Sequence, residues 1–379
     1  MYPCSSAFHR AVAANEPQMA LFVFENGAVL TNEDFDVDAG IQFDDYFCTK
    51  EDLGIGEALS NELRFKLMNE KQLLNNFDFG EFTALLGVQT SATENTKGFS
   101  LTYRGHTYTA TARGNTRLLR DGTATSGQPS FKIASMAAKD GVVYCFAING
   151  QAYGVSATTG AAVSVPNTAF MRDKASRWAG RTFSYDNRIL TIRETGGAER
   201  TFEFVPLGIF NAEKPKVVDD IQIDLVCNDR MQRFDHDMAD LEVPYPITLS
   251  ALLSRICQSE NVTVASGDML NGDHEVAEKP DEFDSCSKRD VIGWIAEVGG
   301  CNAKITRDGA LKMYWLANTS QSFGAGNYTE CRPYYYQTQK VNRLCVRDLS
   351  AAEDQMTGSG ENTYLIQDNP FLRVVTDEE

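Results

Sequence analysis

The chain has 379 residues, of which 42% are hydrophobic and 10% aromatic, and its 35 basic and 52 acidic side chains give a formal charge of −17. This length predicts two to four modules, because a domain usually contains roughly 100–200 residues. The acidity argues against a protein that binds nucleic acid by neutralising phosphates, since such proteins present a basic face.

The sequence shows no targeting signal and no membrane span. The start, MYPCSSAFHRAVAANEP, lacks a basic stretch followed by an apolar run, and no segment approaches the ~20 apolar residues of a membrane helix. We therefore expect a chain made in the cytoplasm. Its nine cysteines form no CxxC pair, which predicts reduced thiols rather than a zinc ribbon. Cys227, Cys257 and Cys345 lie among apolar neighbours and are expected in the core.

The first segment reads as a short helix followed by β-strands. Ser5 and Ser6 are candidate N-caps for a helix from Ala7 to Ala14. Asn26-Gly27 between two apolar runs predicts a β-hairpin with a type I′ turn. Within residues 59–88, the alternation of Leu63, Phe65 and Leu67 and the run EFTALLGV predict two further strands with half-buried faces.

Residues 89–205 differ in composition from the rest of the chain. They are rich in Thr, Ser, Gly and Tyr, and their 14 basic and 8 acidic residues give +6, which leaves −23 for the remainder. Short β-type runs separated by Arg-Gly, Asn-Gly and Gly-Gly turns predict a small all-β module. We interpret this module as an insertion into an acidic frame.

The third region predicts an α/β unit. A strand, IQIDLVC, leads to a helix that Thr248 caps, with apolar residues at helical spacing. Ser287 and Asp290 form a capping-box pattern at the start of a second helix, which is expected to stop at Gly299. Two strands about a turn at residues 307–309 follow, and the segment 334–346 is a further strand candidate.

Sequence patterns of known catalytic sites are missing. There is no GxSxG, HExxH, Walker or GxGxxG pattern. Hence no catalytic residue, cofactor-binding residue or metal ligand is predicted, and the chain is not expected to be an enzyme.

Two acidic clusters were weighed as metal sites. His236 between Asp235 and Asp237 could form a metal corner or a tuned base, but a solvated loop is the favoured interpretation. Asp34, Asp36 and Asp38, with Asp45 at the twelfth place, resemble the start of a calcium loop. Ala39 replaces the required glycine, so an acidic loop or strand edge is favoured.

Two further clusters suggest ligand surfaces. Tyr334, Tyr335 and Tyr336 with Trp315 could stack on sugars, although consecutive strand residues point to opposite faces, which favours packing. The arginines of the middle module could grip phosphate or an acidic glycan, but a solvated face is favoured. These are Arg113, Arg117 and Arg120.

The order of several sequence blocks resembles the tail-tip or baseplate hub proteins of phages and prophages of Gram-positive bacteria, related to the so-called prophage endopeptidase tail family. The resemblance covers most of the chain outside 89–205. Its blocks are MYPCSSAFHRAVAANEPQMALFVFENGAVLTNEDF, IGEALSNELRFKLMNE with FDFGEFTALLGV, IQIDLVCNDRMQRFD with PITLSALLSRICQSENV, CSKRDVIGWIAEVGGCNAKITRDGALKMYWL, and YLIQDNPFLR.

This resemblance implies a mainly β fold with α+β parts. The parts would be two tube-like β-barrels, an α/β domain and an inserted small all-β module. Residues 1–88 with 206–235 would build the first hub barrel, 89–205 the inserted module, 236–320 the α/β domain, and 321–379 a second, incomplete barrel.

The resemblance also implies a structural role in the virion. Three chains would form a ring that closes the tail tube and passes DNA at infection, in contact with tail-tube, distal-tail, other baseplate and tape-measure proteins. DNA would meet the protein only in transit, and assembly would take place in the host cytoplasm. The family often carries a long C-terminal fibre or hydrolase, which this sequence does not include. A tail-associated peptidase or cell-wall hydrolase and a host-glycan-binding tail module remain the alternatives.

Overall fold

A computed structural model gives the fold. It describes residues 3–36, 38–46, 54–69, 79–94, 99–110, 117–213, 215–217, 221–266, 269–315, 342–347 and 354–372.

The chain divides into two compact units, each built from two stretches of sequence. The first unit contains Met1–Ile41 and Arg64–Val226, and the second contains Gln42–Leu63 and Cys227–Glu379. Residues 89–205 lie wholly within the first unit, and the predicted start of that segment falls inside a strand, Glu81–Thr93. The predicted division into two barrels, an α/β domain and an insertion stays a prediction.

The described residues are mainly β, as predicted. The helices are α1 (Ser6–Ala13), α2 (Leu249–Ser259) and α3 (Lys288–Val298), with four short 3₁₀ turns. The first strands are β1 (Gln18–Phe24), β2 (Val29–Thr31), β3 (Ile41–Asp44), β4 (Ala58–Leu59), β5 (Glu62–Met68), β6 (Glu81–Thr93), β7 (Ser100–Tyr103), β8 (His106–Ala110), β9 (Leu118–Arg120), β10 (Thr123–Ala124), β11 (Ser135–Lys139), β12 (Val142–Phe146) and β13 (Ala152–Ser156). The remainder are β14 (Ala162–Val163), β15 (Arg181–Asp186), β16 (Ile189–Glu194), β17 (Glu199–Ala212), β18 (Lys216–Val217), β19 (Gln222–Asp229), β20 (Ile247–Thr248), β21 (Glu275–Val276), β22 (Asn302–Ile305), β23 (Leu311–Tyr314), β24 (Arg343–Arg347), β25 (Gln355–Gly358) and β26 (Thr363–Gln367).

Two long antiparallel strands form the spine of the first unit. β6 and β17 pair from Glu81 opposite Asn211 to Thr93 opposite Glu199. β1 lies on the other edge of β6. β17 also pairs with β16 and is followed in the sheet order by β19 and then by β5. The sheet continues through β15, β11, β12, β13 and β14, and it contains 14 of the described strands.

A cluster of phenylalanine rings packs beside this spine. Phe22 is fully buried, and its ring centroid lies 4.9 Å from that of Phe35, 5.0 Å from that of Phe65 and 5.2 Å from that of Phe82. These rings come from β1, β5, β6 and the residues after β2. Aromatic pairs at such separations stabilise a core beyond the area that they bury. The alternation predicted for β5 is confirmed, because Leu63, Phe65 and Leu67 are all buried.

The predicted β-runs of the middle segment are confirmed. β7 to β10 form a four-stranded sheet, and its buried Leu101, Tyr108 and Leu118 pack with Val143 and Cys145 of β12 in one core. The β7–β8 turn uses Arg104 and Gly105, both at positive φ, as a type I′ turn requires.

The first hairpin is confirmed, but its predicted type I′ turn is wrong. The N–H of Phe24 donates to the carbonyl of Ala28, so three residues form the loop, and only Gly27 has a positive φ. The side-chain oxygen of Asn26 accepts a hydrogen bond from the N–H of Ala28. This contact holds Asn26 outside the positive-φ conformation that a type I′ turn requires.

The predicted helices agree closely with the structure. The Ser5 hydroxyl caps α1, and Thr248 caps α2. α3 begins with the predicted capping box of Ser287 and Asp290 and ends at Gly299. In the second unit, the buried faces of α2 and α3 pack with β22 and β23 in a single core.

The predicted burial of three cysteines is confirmed among the seven that the structure describes. All seven are free, and Cys227, Cys257 and Cys345 are buried as predicted. Burial raises the pKa of Cys145 and Cys257 to about 12, so both stay protonated thiols at neutral pH. Cys48 and Cys331 lie outside the described residues.

Candidate functional site

His236 and its acidic neighbours point to different partners. His236 Nδ1 lies 2.9 Å from Glu260 Oε2, whereas Asp235 Oδ1 accepts a hydrogen bond from Arg289 at 3.3 Å. Burial of Glu260 opposes its ionisation, but Lys288 and His236 outweigh that effect and lower its pKa. The group therefore joins the end of α2 to the start of α3 and is built as an ion pair rather than a metal corner.

The acidic run after β2 does not gather around a common centre. Asp34 is buried and binds Lys174, while Asp36 accepts hydrogen bonds from the N–H groups of Asp38 and Ala39 and from Gln222 Nε2. Asp45 belongs to the second unit and pairs with Lys304. In the described ranges, no group of three or more His, Cys, Asp or Glu side chains is arranged to hold a metal ion.

The predicted aromatic and arginine clusters are only partly described. Tyr334, Tyr335, Tyr336 and Arg113 lie outside the described residues, and Trp315 is 41% exposed. Arg120 is not a free cation, because its guanidinium donates to His106 Nε2 at 2.5 Å and to the Thr158 carbonyl at 3.0 Å. Arg117 also has a partner.

A cleft of about 580 Å³ in the first unit is the strongest candidate site. It is bordered by β1, the turn after β2, the end of β6 and strands β15 to β17. Eight of its lining side chains are apolar, five are charged and three are amides. The apolar ones are Pro17, Met19, Ala92, Trp178, Phe183, Ile192, Ala198 and Phe202, the charged ones are Glu33, Glu94, Arg181, Glu194 and Arg200, and the amides are Gln18, Asn32 and Gln89. A volume of this size, with apolar side chains and polar groups together in the lining, is typical of a ligand site.

One arginine organises the charged side of the cleft. Arg181 Nη1 lies 3.1 Å from Glu33 Oε1, and its Nε lies 3.3 Å from Glu194 Oε1. The guanidinium sits 5.3 Å from the ring centre of Trp178, whose indole N–H donates to Glu33. These contacts fix both carboxylates and the guanidinium, because each group has more than one partner.

A buried ion pair anchors the wall that carries Trp178. We call residues 166–180 the strap. Within the strap, Lys174 Nζ lies 3.0 Å from both carboxylate oxygens of Asp34, and both side chains are more than 90% buried. Arg177 adds a 2.8 Å contact to the same carboxylate. The ion pair thereby fixes the strap against the turn after β2.

The strap also touches the first hairpin at close range. Burial raises the pKa of Asp173, although Lys174 and the N–H of Val29 both favour its charged form. A Cβ added at Gly27 would lie 2.3 Å from the Thr168 Cα. Glycine at position 27 is therefore required by the approach of the strap as well as by its φ of 83°.

Sequence reasoning missed this cleft. Its five charged residues come from five separate strands and turns, and no two neighbours in sequence form a recognised pattern. The one usable signal is RWAGR (177–181), in which two arginines flank a tryptophan. Such a pattern is typical of cation–π pairing, but it does not name the carboxylates that complete the site.

A buried carboxyl in the second unit gives a pH prediction. Burial raises the pKa of Asp229 to about 6, although the N–H groups of Asn61 and Met231 and the Ser60 hydroxyl favour its charged form. Below the unfolded value of 3.8 the group is protonated in both states. Between 3.8 and 6 only the folded state keeps the proton, so this stabilisation, at most about 3 kcal/mol, is lost as the pH rises through 6.

We expect Asp229→Asn to flatten that part of the stability profile. Urea unfolding of both proteins at pH 4 to 7 measures it, with Asp235→Asn at an exposed site as the control. The stability of the wild type relative to Asp229→Asn should fall as the pH rises. A constant difference across this range would contradict the raised pKa.

Comparisons with known proteins add a weak structural likeness. No protein-family model matches the chain, and no curated protein matches it. The chain is similar to the crystal structure of the prophage MuSo2 43 kDa tail protein from Shewanella oneidensis, with 9% identity, a TM-score of 0.33, and coverage of 92% of this chain and 72% of that one. The computationally designed Ika8 protein matches 38% of this chain and 42% of its own, with 10% identity and a TM-score of 0.17. Likenesses of this size assign neither fold nor function. None of the described helices has the length and apolar character needed to cross a membrane.

Proposed function

We propose that this chain is a structural component of a phage tail or of a phage-derived injection device, and more specifically a homotrimeric tail-tip or baseplate hub. The proposal starts from the ordered sequence blocks that resemble such hubs. It is supported by the mainly β fold of the described residues.

The strongest support for the proposal is that the hub-like sequence blocks come together in one sheet. The blocks that resemble hub proteins are far apart in sequence, yet four of them supply strands of one sheet. The hairpin block forms β1 and β2, the next two blocks form β5 and β6, and IQIDLVCND forms β19. These strands form one frame. A hub protein needs such a frame if the segment between the blocks is to vary.

The charge distribution fits passage of DNA. Outside residues 89–205 the chain carries a net charge of −23. An acidic channel wall would repel phosphates and let DNA pass without binding, whereas a basic wall would hold it. In this proposal the acidic frame faces the channel, and the partners are tail-tube, distal-tail, other baseplate and tape-measure proteins in the virion.

The alternative of a peptidase or cell-wall hydrolase has less support. His106 has both ring nitrogens engaged, Nδ1 with Asp121 at 2.6 Å and Nε2 with Arg120. The thiols of Cys145 and Cys257 are held protonated by burial, whereas a catalytic cysteine needs a lowered pKa. We therefore propose that the chain is not an enzyme. Release of muropeptides from purified peptidoglycan by the pure chain would overturn this.

The mass of the purified chain in solution tests the hub proposal. Sedimentation at micromolar to millimolar concentration should give a species of three times the 41.9 kDa of one chain. Images of that species should show a ring with a central channel. A monomer at every concentration, or a closed dimer, would contradict the trimeric hub.

A further inference from the structure

We propose that the cleft bordered by β1, β6 and β15 to β17 binds an uncharged saccharide that contains N-acetylhexosamine units. This proposal does not rest on the tail assignment, because the cleft lies within the first unit of a single chain. Its residues take part in no function assigned above.

The volume and lining of the cleft suit a few sugar units. About 580 Å³ is within the usual range of small-ligand sites. Met19 and Phe202, each 7% exposed, and the half-buried Ile192 supply a small apolar lining, which is enough for one C–H face of a pyranose ring or the methyl of an acetamido group. A fully polar ligand would gain nothing from these side chains.

The polar rim is held in place before any ligand arrives. Arg181 is fixed by Glu33, Glu194 and the Trp178 ring. A carboxylate has about four acceptor positions, and the contacts of Glu33 with Arg181, Arg177 and Trp178 leave room on that carboxylate for one sugar hydroxyl. Binding to fixed groups loses less conformational entropy than binding to mobile ones, which favours a weakly interacting ligand such as a sugar.

Two charged side chains at the cleft are available to bind a ligand. Within the part of the chain that the structure describes, the side chains of Arg200 and Glu94 are exposed and have no hydrogen-bond or ion-pair partner. Arg200 is a donor suited to the acetamido carbonyl, and Glu94 is an acceptor for a hydroxyl or amide N–H. Together with Gln89 they offer both donors and acceptors, as the hydroxyl and amide groups of such a sugar require.

The charges that line the cleft favour an uncharged ligand. Three carboxylates and two guanidiniums line the cleft, so its local charge is slightly negative. Arg181 already pairs with two of the carboxylates, so the cleft offers no excess of cations to hold a phosphate chain, a sulfated glycan or DNA. A basic peptide would be attracted but would leave the apolar lining largely uncovered.

Saturation-transfer NMR and calorimetry with the full chain test the proposal. The probe is chitotetraose, the β-1,4-linked tetramer of N-acetylglucosamine. We expect saturation transfer to its acetyl methyl groups and a dissociation constant in the micromolar to millimolar range. Arg200→Ala and Glu94→Ala should each weaken binding about tenfold, the value of one lost hydrogen bond to a charged group. Lys139→Ala, at an exposed ion pair on β11, is the matched surface control and should bind as the wild type does.

Three outcomes would overturn the proposal. The first is no transfer to chitotetraose at millimolar concentration by a chain whose unfolding transition is normal. The second is equal binding of maltotetraose, which lacks acetamido groups. The third is tighter binding of a tetralysine peptide, which would make the cleft a site for a basic segment of a protein. A trimeric hub that does not bind chitotetraose would disprove this site alone, and a monomer that binds it would disprove only the hub.

Discussion

Lys174→Met is expected to destabilise the chain by about 3–5 kcal/mol, because it removes the buried cation that contacts both oxygens of the buried Asp34 carboxylate. Arg177 remains beside Asp34, but it is 42% exposed and makes one contact where Lys174 makes two. Asp173, whose pKa burial already raises, loses the same partner. Urea unfolding followed by tryptophan fluorescence measures this loss, since Trp178 lies on the strap that Lys174 anchors.

The control is a lysine that pairs at the surface. Lys139 contacts Asp140 at 2.6 Å, but the Asp140 side chain is 78% exposed. Exposed pairs contribute at most about 1 kcal/mol, so Lys139→Met should shift the midpoint little. If the two variants unfold at the same urea concentration, the buried pair does not anchor the strap.

Gly27→Ala is expected to lower the free energy of unfolding by about 2–4 kcal/mol. The positive φ of 83° costs an alanine about 1–2 kcal/mol, and the new Cβ would overlap the Thr168 backbone at 2.3 Å. Because backbone atoms cannot rotate away as a side chain can, the strap must shift. The free energy of unfolding and the fluorescence of native Trp178 should both change.

Gly105→Ala separates the two causes. Gly105 has nearly the same φ, 78°, but nothing lies within 4 Å of its added Cβ. Gly105→Ala should lower the free energy of unfolding only by the cost of the positive φ, about 1–2 kcal/mol, and should leave the native fluorescence unchanged. Equal losses in the two variants would show that the strap does not press on the hairpin.

Local signals predicted the elements well where one short segment decides the structure. The caps Thr248 and Ser287 and the helical spacing after them were readable, because capping depends on residues three apart. The hairpin at Asn26 was also readable, but its turn type was not. There, the Asn26 side chain and the approach of Thr168 decide the geometry, and the second of these comes from far along the chain.

The candidate site could not be predicted, for a related reason. Asp34 reads in sequence as the first residue of an acidic loop open to solvent. In the structure it is buried by Lys174, which lies 140 residues further on. Nothing local to NEDFDVDAG distinguishes a solvated carboxylate from one that a distant lysine neutralises. The same holds for Glu33 and Glu194, which Arg181 brings to one cleft.

The continuity of β6 and β17 limits how the middle segment can be exchanged by engineering. Composition changes near residues 89 and 205, but both positions lie inside paired strands. Cutting there would remove residues 89–93 of β6 and 199–205 of β17 from the spine, and with them the end of the β6–β17 ladder. Chimaeras between related chains should instead be joined beyond Thr93 and before Glu199, where the β6–β17 ladder ends.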